Sequence, residues 1–166
     1  MMSSDQREKD RQIDKLMDKE ASANLAVEIT SDEIKSGKFA NTDEALFLAT
    51  RFVTYNSELS LYFEDENSLT NPDEQTIEGQ QSMLRRSLTE AAIAGALRGD
   101  YSKVIEYLYA EAEIMISFAG PLQALGMKED GEALKKFASS LPNKGPNFAL
   151  PLPSWQDPRF DIDRVP

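Results

Sequence analysis

Carboxylates are the residues most available for chemistry in this sequence. Aspartate and glutamate number 29 of the 166 residues, whereas the chain contains neither histidine nor cysteine. The absence of histidine removes the commonest general base and the Ser-His and Cys-His nucleophile pairs. The absence of cysteine removes disulfides, thiolate nucleophiles and sulfur-ligated zinc sites. Because GxSxG, SxxK, GxGxxG and Walker motifs are also missing, we expect a protein that is not an enzyme and that holds no cofactor.

One group of carboxylates falls on a predicted helix that is otherwise apolar. Its members are Glu106, Glu111 and Glu113. Burial could raise the pKa of one of these acids and prepare it for proton transfer. Acids on an amphipathic helix more often mark its solvated edge, so we expect all three to face water.

A second group, Glu64, Asp65 and Glu66, is followed within ten residues by two more acids. Such oxygen-rich segments can bind calcium or magnesium. An EF-hand loop counted from Asp65 would require an oxygen ligand at position 69 and glycine at position 70, where this sequence has Leu69 and Thr70. We therefore favour a solvated loop, and a carboxylate-based metal-binding enzyme or sensor stays open as an alternative.

The formal charge of -11 is concentrated in one part of the chain. Residues 41–80 hold nine acids and a single base, Arg51. This field repels nucleic acid at long range and attracts a basic protein surface. We expect protein partners, with a basic surface or through self-association, and no nucleic acid.

The C-terminal segment combines prolines with spaced apolar side chains. Six of the eight prolines lie from Pro142 onward, and they favour an extended backbone without helix or inner strand. Aromatic residues along it would be unusual in a merely flexible end, so we expect this tail to dock on its own chain or in a neighbour's groove, with Trp155 substantially buried. The candidate partner-binding residues, from the acidic loop and the tail, are Glu64, Asp65, Glu66, Phe148, Trp155 and Phe160.

Two features bear on localisation. The first residues, MMSSDQREKDRQ, are polar where a secretory signal would be apolar. The longest uncharged stretch, residues 114–127, is 14 residues long, short of the roughly 20 that span a bilayer. We expect a cytoplasmic protein without membrane contact.

Helical periodicity dominates the middle of the chain. A helix is predicted from the Thr42 cap to about Phe63, because apolar residues follow one another at spacings of three and four: Ala45, Leu48, Phe52, Tyr55, Leu59 and Tyr62. A loop over 64–70 precedes a helix that opens at Asn71 and Pro72 and extends to Leu97. Ala91, Gly95 and Gly99 recur every four residues and predict close packing within the chain rather than a dimer face.

Capping residues predict the remaining helices. Asp100 should cap a helix over 101–118, and another should cover about 129–141, where Pro142 ends it. A short helix should begin after Thr30 or Ser31 and end at Gly37.

These elements predict an all-α fold, an irregular bundle of four to six helices. Composition divides the chain into a charged N-terminal arm (1–30), a helical core (31–141) and an extended Pro-rich tail (142–166). The functional hypothesis is a non-enzymatic interaction or assembly module, such as an adaptor, a chaperone or a complex subunit. A structural subunit of a larger assembly, including one of viral or phage origin, is the other alternative beside the metal-binding protein.

Overall fold

The computed structural model describes residues 4–70, 77–118 and 125–160, with the side chains of 4–62, 86–117 and 128–160. Five α-helices lie in these ranges: α1 (Ser4–Ser36), α2 (Thr42–Thr70), α3 (Ile77–Leu97), α4 (Ser102–Phe118) and α5 (Leu125–Ser139). A single 3-10 turn, Pro158–Phe160, follows in the described part of the tail. The all-α prediction is confirmed.

Helix α1 is one continuous helix, so the prediction that a separate helix begins after Thr30 or Ser31 is wrong. No glycine or proline interrupts residues 4–36, and side-chain pairs such as Glu8 with Arg11 support the exposed first turns. Thr30 is fully buried in the helix interior. The helix ends where expected, at Gly37, whose φ of 65° is the left-handed conformation typical of a helix C-terminus.

Helix α2 is longer than predicted, and the loop expected over 64–70 is wrong. The backbone stays helical through Thr70, because glutamates and aspartates are compatible with helix and no glycine or proline occurs before Pro72. The predicted start of the next helix at Asn71 and Pro72 lies outside the described residues.

The turn between α3 and α4 confirms the predicted end at Leu97 and the Asp100 cap. Gly99 has a φ of 78°, and the Asp100 N–H donates to the Gly95 carbonyl at 2.9 Å, closing the end of α3. The Asp100 carboxylate then accepts the Ser102 N–H at 3.1 Å. A Cβ on Gly95 would lie 2.6 Å from the Asp100 carbonyl oxygen, so close packing within the chain is confirmed here.

Helices α4 and α5 pack against each other in antiparallel order. Gly131 lies against Ala112, whose carbonyl oxygen would be 2.9 Å from a Cβ there. Further along, Lys135 pairs with Glu113 at 2.7 Å, and the hydroxyls of Tyr109 and Ser139 are 2.7 Å apart. Helix α5 begins and ends a few residues before the predicted 129–141. Leu134, Phe137 and Leu141 are buried on this part of the chain.

The chain divides into two compact units. Unit 1 comprises Met1–Val27, Tyr55–Arg86 and Leu152–Pro166, and unit 2 comprises Glu28–Thr54 and Ser87–Pro151. Helices α1 and α2 each contribute residues to both units. The units therefore do not coincide with the segments 1–30, 31–141 and 142–166 that composition predicts.

Unit 2 contains the larger apolar core. Its fully buried side chains include Leu46, Phe52, Val53, Val104 and Leu108. The first part of the tail closes this unit: the Tyr101 N–H donates to the Asn143 carbonyl at 2.8 Å and the Gly145 N–H to the Gly99 carbonyl at 3.0 Å.

Helix α4 departs from its predicted pattern at two positions. Glu111 is only 5% exposed, so its assignment to the solvated edge is wrong, whereas Glu106 and Glu113 are exposed as expected. Ile114, an apolar residue of the same predicted helix, is 37% exposed. Position 111 follows the buried residues Tyr107 and Leu108 by four and three places, so it lies on the same helix face as they do.

Candidate interaction site on the C-terminal tail

Phe160 anchors the tail in unit 1. Its side chain is 1% exposed and its ring meets Tyr55 edge to face, with ring centroids 5.1 Å apart. The Ser22 hydroxyl donates to the Phe160 carbonyl at 3.2 Å. Residues from α1 and α2 thus hold the same tail residue, and an aromatic pair of this geometry adds about 0.5–1.5 kcal/mol beyond its buried area.

Asp157 forms a second anchor just before Phe160. Its carboxylate is reached by the Tyr55 hydroxyl at 3.3 Å and by the Arg159 guanidinium at 2.8 Å. Hydrogen bonds from Arg159 hold the pKa of Asp157 below its usual range. Burial, together with the Asp157 charge, raises the pKa of Tyr55 far above its ordinary value. Tyr55 is therefore a neutral hydrogen-bond donor rather than a base at physiological pH.

Ser154 forms the third anchor, at the start of a tight turn. The residue is fully buried, and its N–H donates to a Glu58 carboxylate oxygen at 3.2 Å. Burial raises the pKa of Glu58, and the hydrogen bond from Ser154 opposes that shift. The turn closes when the Gln156 N–H donates to the Pro153 carbonyl at 2.9 Å.

Trp155 lies between these anchors and points outward. Its side chain is 45% exposed, and the Lys19 ammonium lies 4.8 Å from the ring centroid, a cation–π contact that covers part of the ring. Leu152 is 57% exposed, and Leu61, one helical turn beyond Glu58 on α2, is 38% exposed. We call Trp155 and Leu152, which lie three residues apart in the tail, the Trp155 surface.

The six predicted partner-binding residues lie in different environments. Phe160 is buried in unit 1 and Phe148 is half-buried in unit 2, where its ring packs on Phe47 at 5.4 Å between centroids. Trp155 is the one described member that offers a largely accessible apolar side chain. Glu64, Asp65 and Glu66 have helical backbone in α2, and their side chains lie outside the described part of the structure.

Within the single chain described here, the tail packs on that same chain through Phe160, Asp157 and Ser154. The structure differs from the expected burial of Trp155, because this single chain leaves nearly half of the indole accessible. Sequence reasoning missed Asp157 and Glu58 as anchoring acids. Asp157 hydrogen-bonds to a residue 102 positions away, and nothing in a sequence pattern indicates that pairing.

The anchors hold the tail through hydrogen bonds and one aromatic contact. Among the described residues, no three aspartates or glutamates come close enough together to hold a metal ion. No helix in the described ranges is both long and apolar enough to cross a membrane.

No known family model matches this chain, and no curated protein or solved structure shows significant similarity to it.

Proposed function

We propose that this protein is a non-enzymatic interaction module that contacts a protein partner through the Trp155 surface. The observation that supports this most is a large aromatic side chain, 45% exposed, held between the buried residues Ser154 and Asp157. Aromatic residues of this kind dominate binding hot spots. Because the backbone on both sides is already fixed, little conformational entropy is lost when Trp155 is covered.

Charge defines the chemistry of the partner in this proposal. Unit 1 contains 16 acids and 9 bases, which makes -7 of the total formal charge of -11. A partner with lysine or arginine around an apolar centre would be complementary to both the indole and the negative charge of unit 1. Such long-range attraction mainly accelerates association, and it weakens as salt rises because the Debye length is about 10 Å at 0.1 M.

The absence of catalysis and a cytoplasmic location are parts of the same proposal. The absence of catalysis rests on the lack of histidine and cysteine in the sequence and on the anchoring role of the acids around Tyr55. The cytoplasmic location rests on the sequence, whose longest uncharged stretch has 14 residues. A surface that binds through apolar contact and charge needs neither a nucleophile nor a general base.

The test uses a tryptophan-free amphipathic peptide with leucine on one face and lysine on the other. Trp155 is the only tryptophan, so its fluorescence reports binding at this surface directly. We expect a saturable blue shift whose half-point moves to higher peptide concentration as salt is added. The same peptide with glutamate in place of lysine should give no shift.

Matched leucine variants separate the Trp155 surface from general attraction between opposite charges. Leu152→Ser should weaken binding about tenfold, because burying a leucine is worth about 1.5–3 kcal/mol and 1.4 kcal/mol corresponds to a factor of ten. Leu97→Ser removes a leucine that is 43% exposed in unit 2 and should leave binding unchanged. Equal effects of the two variants, or no response of Trp155 to either peptide, would refute the proposed surface.

A further inference from the structure

The tail passes from unit 2 to unit 1 through a short connection, residues 149–152. Phe148 packs on Phe47 and Tyr101 in unit 2, and Ser154 is the first buried residue of the tail segment that belongs to unit 1. Among the described residues, none of the hydrogen bonds involves residues 149–152. Pro151 and Pro153 restrict the backbone of this connection and remove two donors from it.

Two leucines of this connection face water. Leu150 is 43% exposed and Leu152 is 57% exposed. Apolar side chains exposed next to each other mark a surface that another chain can cover. When two copies exchange an identical terminal segment, the two connections meet around a two-fold axis, so these leucines would lie opposite their symmetry mates.

The tail anchors can be rebuilt between two chains. Phe160, Asp157 and Ser154 all follow the connection in the chain, and their partners are Ser22, Tyr55 and Glu58. A second copy presents the same Tyr55 and the same Ser22. A monomer with its tail on its own chain and a dimer with exchanged tails therefore contain the same anchoring contacts. They differ in the conformation of residues 149–152 and in the entropy that is lost when two chains associate.

We infer that the tail exchanges between two copies of this chain, so that Phe160 of each copy packs on Tyr55 of the other. The occupant of the tail site in this dimer is the segment 154–160 of a second copy. The dimer is favoured as concentration rises. Trp155 takes no part in the anchoring contacts that are exchanged, so the inference does not depend on the proposed function.

The test exploits the absence of native cysteine. Lys19→Cys and Trp155→Cys each place one thiol where the ammonium and the indole lie 4.8 Å apart, and neither substitution removes an anchor. The two variants are mixed in equal amounts, one with a mass tag, incubated over a range from micromolar to millimolar, and treated with a short bifunctional thiol cross-linker. We expect a covalent heterodimer that exceeds both homodimers, with a yield that rises with concentration.

Two controls distinguish exchange from chance collision. Adding Phe160→Ala to the Trp155→Cys chain removes an anchor and should lower the heterodimer yield several-fold, whereas collisional cross-linking would not change. The double variant with both cysteines in one chain should close on itself when dilute and form covalent dimers when concentrated. The inference is overturned if the heterodimer never exceeds the homodimers, or if the double variant closes only on itself at every concentration.

Discussion

Phe160→Ala removes the anchor on which the tail depends most. The ring is 1% exposed and packs edge to face on Tyr55. Truncating a buried phenylalanine to alanine costs about 3–5 kcal/mol in a well-packed core. We take the lower end, about 3 kcal/mol, because the described tail around Phe160 contains no α-helix or strand and can relax around the change.

This loss is large enough to measure by thermal unfolding. For a chain of 166 residues, 1 kcal/mol corresponds to about 2–4 °C in Tm, so Phe160→Ala should lower Tm by about 6–12 °C. The assay is a far-UV circular dichroism melt at fixed protein concentration. Phe160→Leu keeps most of the apolar volume and should lose roughly half as much.

An exposed position provides the control for this prediction. Leu150→Ala changes a residue that is 43% exposed and should move Tm by no more than about a degree, because surface substitutions stay within about 0.5 kcal/mol. If Phe160→Ala is equally silent, the tail contributes nothing to the stability of unit 1 and the reasoning about anchors is wrong.

Three further substitutions test other parts of the account. Gly99→Ala should destabilise the protein by about 1–3 kcal/mol, measured as a lower Tm. The reason is that φ at Gly99 is 78° and a Cβ there would lie 2.5 Å from the Gly145 carbonyl oxygen. An unchanged Tm would contradict the turn geometry. Leu108→Asp should leave no cooperative melt, since Leu108 is fully buried and an unpaired buried carboxylate is too costly. Burial raises the pKa of Glu58, so the folded protein is stabilised by the protonated form, and that stabilisation is lost as pH rises through the folded-state pKa. Glu58→Gln, which stays neutral, should therefore raise Tm at neutral pH and lose that advantage below about pH 4. A higher Tm that persists in acid would refute this cause.

Helix positions were the part of the fold that the sequence predicted best. Spacings of three and four placed Phe52 and Tyr55 on one buried seam, and both are buried. Caps and breakers placed the α3–α4 turn correctly because Gly99 and Asp100 act through local geometry. Signals of this kind involve neighbours within a turn or two.

Helix lengths were predicted less well, because a residue type that often caps helices was interpreted as the start of a new helix. Thr30 resembles a cap in the sequence, yet it lies inside α1 and is fully buried. Without glycine or proline, polar residues alone do not end a helix when tertiary packing favours its continuation. Residues 64–66 are helical for the same reason, because neither glycine nor proline interrupts this acidic stretch.

The sequence predicted that aromatic residues of the tail would dock, but it did not predict which of them would be buried. Aromatic spacing indicated docking, and Phe160 is buried. Which aromatic faces inward depends on contacts with Tyr55 and Ser22, more than 100 residues away in the chain. A single sequence contains no local signal for such long-range pairing.

Trp155 is held at the surface between two buried neighbours, Ser154 and Asp157. Its fluorescence in the free protein at low concentration tests this most directly. We predict an emission maximum and quenching by a neutral quencher that are intermediate between buried and free indole, with slow rotation that follows the tumbling of the protein. Phe160→Ala should shift that emission to the red and free the rotation. A wild-type indole that already rotates freely, is fully quenched and does not respond to Phe160→Ala would contradict the account.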